Sequence, residues 1–109
     1  MELTVHTTTA GPRTVVHVAG EIDMYTASEL RRELLDLLSQ GVASLAIDVN
    51  GVDFCDSTGL GVFIGVQRRL RAANGELLIV CDRPQMLKIF QLTGLEKVFD
   101  IQPSLPSDD

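Results

Sequence analysis

Apolar and polar positions alternate from Leu3 through Val5 to Thr9, the period of a strand with one buried face. Ala10-Gly11-Pro12-Arg13 carries turn chemistry. Thr14 to Ala19 is rich in β-branched residues, and the short connection predicts an antiparallel hairpin. After Gly20-Glu21-Ile22-Asp23 the apolar spacing becomes helical. Leu30, Leu34, Leu37 and Leu38 form the buried stripe of a helix that opens at Thr26, with Glu29 completing a capping box and Gly41 at its C-cap. Leu45, Ile47 and Val49 predict a strand over Ser44–Val49. Leu60, Phe63, Ile64 and Leu70 predict a second helix, from about Ser57 to Ala73, closed by Asn74-Gly75. Leu77 to Cys81 is a continuous apolar run, as in a strand buried on both faces. Pro84 suits the first position of a third helix, with Met86, Leu87 and Phe90 turned inward and Thr93-Gly94-Leu95 as its stop. Val98 to Ile101 reads as a last short strand. Residues 102–109, with Pro103, Pro106 and two terminal aspartates, are expected to form a flexible tail after a single domain spanning 1–101.

The predicted order is ββαβαβαβ, a small α/β fold. Strands that alternate with helices imply right-handed crossovers, so the sheet should be mixed but mainly parallel, with helices packed against it. Such sheets carry their sites at the carboxyl ends of the parallel strands. Asp23 and the stretch Asp53-Phe54-Cys55-Asp56-Ser57-Thr58-Gly59-Leu60-Gly61 both fall at that edge. Asp56 and Ser57 occupy a strand-to-helix turn, where a side-chain oxygen can accept from otherwise unpaired helix N–H groups. Gly59, Gly61 and Gly65 lie in the first two turns of the second helix, at about 1 kcal/mol each against alanine. Their presence predicts close backbone approach by a strand or a partner.

Composition narrows the function. The 109 residues suffice for one core without metal or disulfide support. Net charge is −6, and the nine cationic residues are spread over several segments, which disfavours nucleic acid and anionic membranes. No apolar run is long enough to span a membrane, and the first residues lack a leader pattern, so a cytoplasmic location is expected. Cys55 and Cys81 stand alone, without metal-ligand spacing, and read as buried reduced thiols. His6 and His17 read as tolerated strand residues.

Asp56-Ser57-Thr58-Gly59-Leu60-Gly61 after a strand resembles the signature of the STAS domain, in particular the bacterial anti-sigma factor antagonists. Gly20-Glu21-Ile22-Asp23, Gly75-Glu76-Leu77 and Leu92-Thr93-Gly94-Leu95 fall at that family's order and spacing, so the resemblance runs from about Leu3 to Ile101. It implies partner switching. The unmodified protein would bind an anti-sigma factor that is also a serine kinase, freeing a sigma factor; phosphorylation would release it, and a serine phosphatase would reset it. By this resemblance Ser57 is the phosphate acceptor, with Thr58 the alternative. Asp23 would lie near the acceptor and help partner recognition, or simply cap the turn before Thr26. Asp56 would orient the acceptor's turn, or act as a plain N-cap. Gly59 and Gly61 would admit the kinase. Met24 and Tyr25 would form an exposed partner anchor, or fold under the first helix. Many members continue into a further C-terminal helix, and residues 102–109 are expected to stop before one.

Rival classes fare worse. Gly-x-Ser-x-Gly is absent around Ser57, and both histidines lie far back on the opening hairpin, so no catalytic role is expected. Gly59, Gly61 and Gly65 make a poor dinucleotide fingerprint, and no phosphate loop occurs, so no cofactor is expected. The serious alternative is a STAS domain that is not switched, a scaffold or a subunit of a sensory or transport assembly. A monomer is expected.

Overall fold

β1 (Leu3–Ala10) and β2 (Arg13–Ile22) form the antiparallel hairpin that the alternation predicts, in register from Leu3 opposite Gly20 to Ala10 opposite Arg13. The computed structural model describes residues 2–106. Helix α1 (Ala27–Ser39) leads to β3 (Ser44–Cys55), α2 (Ser57–Ala72), β4 (Glu76–Val80), α3 (Pro84–Thr93), a 3₁₀ turn (Leu95–Lys97) and β5 (Asp100–Gln102). The sheet order is β1-β2-β3-β4-β5, and every pairing after the hairpin is parallel. This is the expected small α/β architecture with a mixed, mainly parallel sheet.

One sheet face carries the main core. Val16, Ile47 and Ile79 from the strands meet Leu30 and Leu34 of α1, Phe63 and Leu70 of α2, and Met86 and Phe90 of α3. The other face holds a smaller cluster, Val15, Ala46, Leu78 and Val80, against which Ala10 and Leu105 pack. β4 is therefore buried on both faces, as its unbroken apolar run predicts. On the same open face His17 sits between Thr8 and Asp48, at 2.8 Å through Nε2 and 2.9 Å through Nδ1, and its ring stacks on His6. Both cysteines are buried and unpaired.

Four expectations need correction. Thr26 does not make a capping box: it has helical φ/ψ and its side chain caps nothing, because its hydroxyl is engaged by Glu21 and Asp23. The strand predicted over Ser44–Val49 runs on to Cys55, bulging twice against β2. The last strand begins at Asp100, because Val98 closes the 3₁₀ turn. The tail is not wholly free: Gln102 pairs with Val80 and Leu105 packs on the small cluster, while 107–109 lie outside the described residues. The C-termini of α1 and α2 follow the sequence. Gly41 and Val42 donate to Leu38 and Leu37, and Asn74 and Gly75 donate to Arg71 and Leu70, the paired bonds of the Schellman motif.

Candidate functional site

The site is made by the ends of β2 and β3. Ile22 pairs with Cys55, and the Asp56 N–H donates to the Ile22 carbonyl at 3.1 Å, so Asp23 and Asp56 leave the sheet side by side. β3 reaches this far without β4, whose pairing stops at Asp48. Arg83 takes over the strand's free side. Its Nη1 donates to the carbonyls of Asn50 (3.3 Å) and Val52 (3.0 Å) and pairs with Asp53 at 2.9 Å. Asn50 Oδ1 accepts from the Asp82 N–H. Gly20 completes the bend in β2 with a φ of +105°, and a Cβ there would lie 2.1 Å from the Glu2 carbonyl oxygen, so only glycine fits.

Asp56 is the N-cap of α2. Its backbone is extended, and Oδ1 accepts from the N–H groups of Thr58 (2.9 Å) and Gly59 (3.2 Å). Ser57 is the first helical residue. It is exposed, and its hydroxyl makes no hydrogen bond among the described residues. Thr58 is exposed too. Gly59 is buried, and a Cβ there would sit 2.5 Å from Ile22 Cγ2 and 2.7 Å from Cys55 Sγ. This is the close approach expected of the helix start, and the neighbour is the sheet. Gly61 and Gly65 instead face open space. Burial, with the Asp56 charge beside it, pushes the Cys55 thiol up to about 12, so it stays a packed thiol under the helix.

Asp23 is 6% exposed. Oδ1 accepts from the N–H groups of Tyr25 (2.8 Å) and Thr26 (2.9 Å), while the Thr26 hydroxyl accepts from the Asp23 N–H and donates to the Glu21 carbonyl. Oδ2 is shielded from solvent and has no partner among the described residues. The Thr26 N–H above all, with the Tyr25 N–H, holds this carboxyl below its usual value although burial pushes the other way. Of the two readings open for Asp23, the turn cap is the one its contacts display. Met24 (66%) and Tyr25 (80%) stand out from the turn and do not fold under α1. Phe54 (47% exposed) adds a third apolar side chain on the neighbouring strand. The sequence reading places Phe54 at this edge without giving it a role, and it does not single out Arg83. Ending the strand at Val49 hid the strand geometry that exposes Phe54, and Arg83 acts across some thirty residues of chain on backbone atoms, which leaves no local pattern.

The resulting edge has two exposed hydroxyls without hydrogen-bond partners among the described residues, those of Ser57 and Thr58, together with two capping carboxylates and an exposed apolar group. Among the described residues no side chain hydrogen-bonds the Ser57 hydroxyl. The fold and this edge together define the class: the chain belongs to the STAS domain family, whose sequence pattern matches residues 2–107. Among individual proteins, it is similar to the anti-sigma-B factor antagonist of Bacillus subtilis (strain 168), 41% identical over 86 residues, 79% of this chain and 78% of that protein. It is also similar to the anti-sigma-B factor antagonist of Staphylococcus aureus (strain NCTC 8325 / PS 47), 33% identical over 101 residues, 93% of this chain and 94% of that one. The crystal structure of an anti-sigma factor antagonist from Mycobacterium paratuberculosis superposes with a TM-score of 0.87 at 31% identity, covering 95% of this chain and 88% of that one.

Proposed function

We propose that this chain is an anti-sigma factor antagonist that binds its anti-sigma factor through the Asp23–Ser57 edge and is released when Ser57 is phosphorylated. One observation carries the proposal: Ser57 presents an exposed hydroxyl, uncommitted among the described residues, on the first turn of α2, at the edge that also exposes Met24, Tyr25 and Phe54. The names borne by the relatives support the antagonist role. Met24, Tyr25 and Phe54 are the apolar anchors. Asp23 acts through them, by holding the turn that presents Met24 and Tyr25. Gly61, open to solvent, leaves room for the partner beside the helix start.

The partner is an anti-sigma factor with serine kinase activity. Ser57 Oγ attacks the terminal phosphoryl group of the kinase's ATP, its proton passes to a base of the kinase, and ADP leaves. A serine phosphatase returns the hydroxyl by hydrolysis. The antagonist supplies the acceptor and no catalytic group.

Phosphate at Ser57 affects fold and interface differently. It adds about −1.5 to −2 charges. A helix N-terminus favours an anion, so the domain tolerates it. Asp56 already uses the next two N–H groups, however, so the new charge lies beside a carboxylate on the contact face. One close like-charge pair in an interface lowers affinity on the order of 100-fold.

Phosphopeptide mapping of the protein from its own cells, with recovery of whatever co-purifies, tests the reading. Phosphate on Ser57, and an ATP-binding kinase retained only by the unmodified form, is the expected result. A Ser57 never modified, in a protein held in one constant assembly, would establish the unswitched scaffold instead. Phosphate on Thr58 alone would move the acceptor by one residue.

A further inference from the structure

A cavity of about 210 Å³ opens at the other end of the sheet, lined by Arg13, Gln67, Arg71, Glu76 and Asp100. Arg13, Glu76 and Asp100 are the first residues of β2, β4 and β5, and Arg71 belongs to the last turn of α2. The cavity is therefore at the amino ends of the parallel strands, the edge away from Ser57. Its size is far beyond the roughly 10–15 Å³ that one water requires.

Its charges are poised without being matched. Arg13, Arg71, Glu76 and Asp100 all line it, the last three of them exposed, and among the described residues no salt bridge joins them to one another. Arg13 Nε is shielded from solvent and donates to no group among the described residues. An unpaired buried donor is unfavourable, more so when charged, so the group calls for an acceptor. The carboxylates are only lightly engaged: Glu76 accepts from Ser44 Oγ at 3.4 Å and Asp100 from Gln102 Nε2 at 3.0 Å. Gln67 is 7% exposed and donates to the Val98 carbonyl at 2.8 Å, which fixes the wall between them. Leu77 and Val98 supply an apolar side.

We propose that this cavity binds a small zwitterion with an apolar side chain, by class an α-amino acid, whose carboxylate meets Arg13 and Arg71 and whose ammonium meets Glu76 and Asp100. A simple anion would satisfy Arg13 but would face both carboxylates. A simple cation would leave the guanidinium groups unpaired. A molecule carrying both charges relieves both, and its side chain covers Leu77 and Val98. Because the cavity and Ser57 occupy opposite edges, the proposal stands or falls independently of the phosphorylation switch.

The test is an NMR titration of the full chain, following backbone amides and the Arg Nε–H signals. The probes are L-leucine, 4-methylpentanoate (which lacks the amine), 3-methylbutylamine (which lacks the carboxylate) and inorganic phosphate. Saturable shifts of Arg13 Nε–H, Gly75 and Leu77 with L-leucine are expected. Each half-ligand and phosphate should bind at least about tenfold more weakly, since each forgoes one set of charge-assisted hydrogen bonds. Arg13→Met keeps the aliphatic stem and should weaken leucine by about tenfold or more; Glu76→Gln, at an exposed position, should do so if Arg13→Met fails to fold. No saturation by leucine, phosphate binding as tightly as leucine, or undiminished leucine binding in folded Glu76→Gln would each overturn the proposal.

Discussion

At the ends of β2 and β3, Asp23 and Asp56 make the same local structure. Each accepts through Oδ1 from the N–H groups two and three residues on: Tyr25 and Thr26 for Asp23, Thr58 and Gly59 for Asp56. The difference lies in what surrounds the turn. Asp23 is buried, backed by the Thr26 hydroxyl, and followed by the exposed Met24. Asp56 is half-buried, backed by a glycine packed on Ile22 and Cys55, and followed by the exposed Ser57. One turn is closed at its acid and presents apolar surface. The other is open at its acid and presents a hydroxyl. A capping aspartate is thus a structural part in both, and the residue after it decides what the edge can do.

The position after each aspartate should show the largest effect. Ser57→Glu should lower affinity for the anti-sigma factor on the order of 100-fold while leaving the thermal midpoint near that of the unmodified chain. Met24→Glu, at the equivalent place on the other turn, should weaken the same complex without abolishing it, because it removes one anchor at a half-open surface. Calorimetric titration of both variants against the partner measures the difference. Equal losses would mean that the two turns present one uniform surface and that Ser57 has no special place in it.

The third position after each aspartate should divide the turns by stability instead. Gly59→Val forces a side chain into the Ile22 and Cys55 contact and should destabilise by roughly 1–3 kcal/mol through overpacking. Thr26→Val keeps the volume but removes a buried hydroxyl that links Asp23 to Glu21, at about 1–3 kcal/mol through unpaired backbone groups. Urea unfolding reads both. A Gly59→Val protein as stable as the parent would show that the helix start is not pressed on the sheet.

Replacing the aspartates themselves sharpens the contrast further. Asp56→Ala removes an N-cap and should lower stability by about 1 kcal/mol. Asp23→Ala should cost more, since the amides of Tyr25 and Thr26 lose their acceptor in a less hydrated place. The reverse order of urea midpoints would mean that the Asp23 turn is held by Thr26 and not by the acid.

These differences explain what the sequence could and could not reveal. Strand alternation, the Leu30–Leu34–Leu38 stripe and the Asn74-Gly75 stop are local patterns, so the element order and the placing of Ser57 and Asp56 on one turn were legible. The burial of Asp23 was not, because Gly-Glu-Ile-Asp has the same composition whether its acid faces in or out. Thr26 followed by Glu29 matches a capping box, yet the Glu21 carbonyl and the Asp23 N–H engage the threonine hydroxyl, and Asp23 Oδ1 takes the Thr26 N–H that Glu29 would have accepted. The extension of β3 was hidden by Asn50-Gly51, a turn pair in most settings, which here sits in a bulged strand held by Arg83. The two misses differ in reach: groups three and five residues away claim Thr26, whereas Arg83 holds β3 from across some thirty residues of chain.

Acid offers the finest test of the buried turn. The Asp23 carboxyl is held below its ordinary value chiefly by the Thr26 N–H. In the unfolded chain it takes up its proton near the usual 3.9 or so. Between that value and the lower folded one, the unfolded state binds more protons than the folded state, so stability rises with pH across this window. The contribution is fully present above the unfolded value and disappears as pH falls through the folded one. Asp23→Asn keeps an Oδ1 acceptor for both amides but has no charge to lose. Urea midpoints measured from pH 7 down to about 3 should therefore show the parent's advantage over Asp23→Asn holding steady in neutral solution and shrinking in acid. Parallel curves through the whole range would mean that the charge on Asp23 contributes nothing and that only the shape of its acceptor holds the turn.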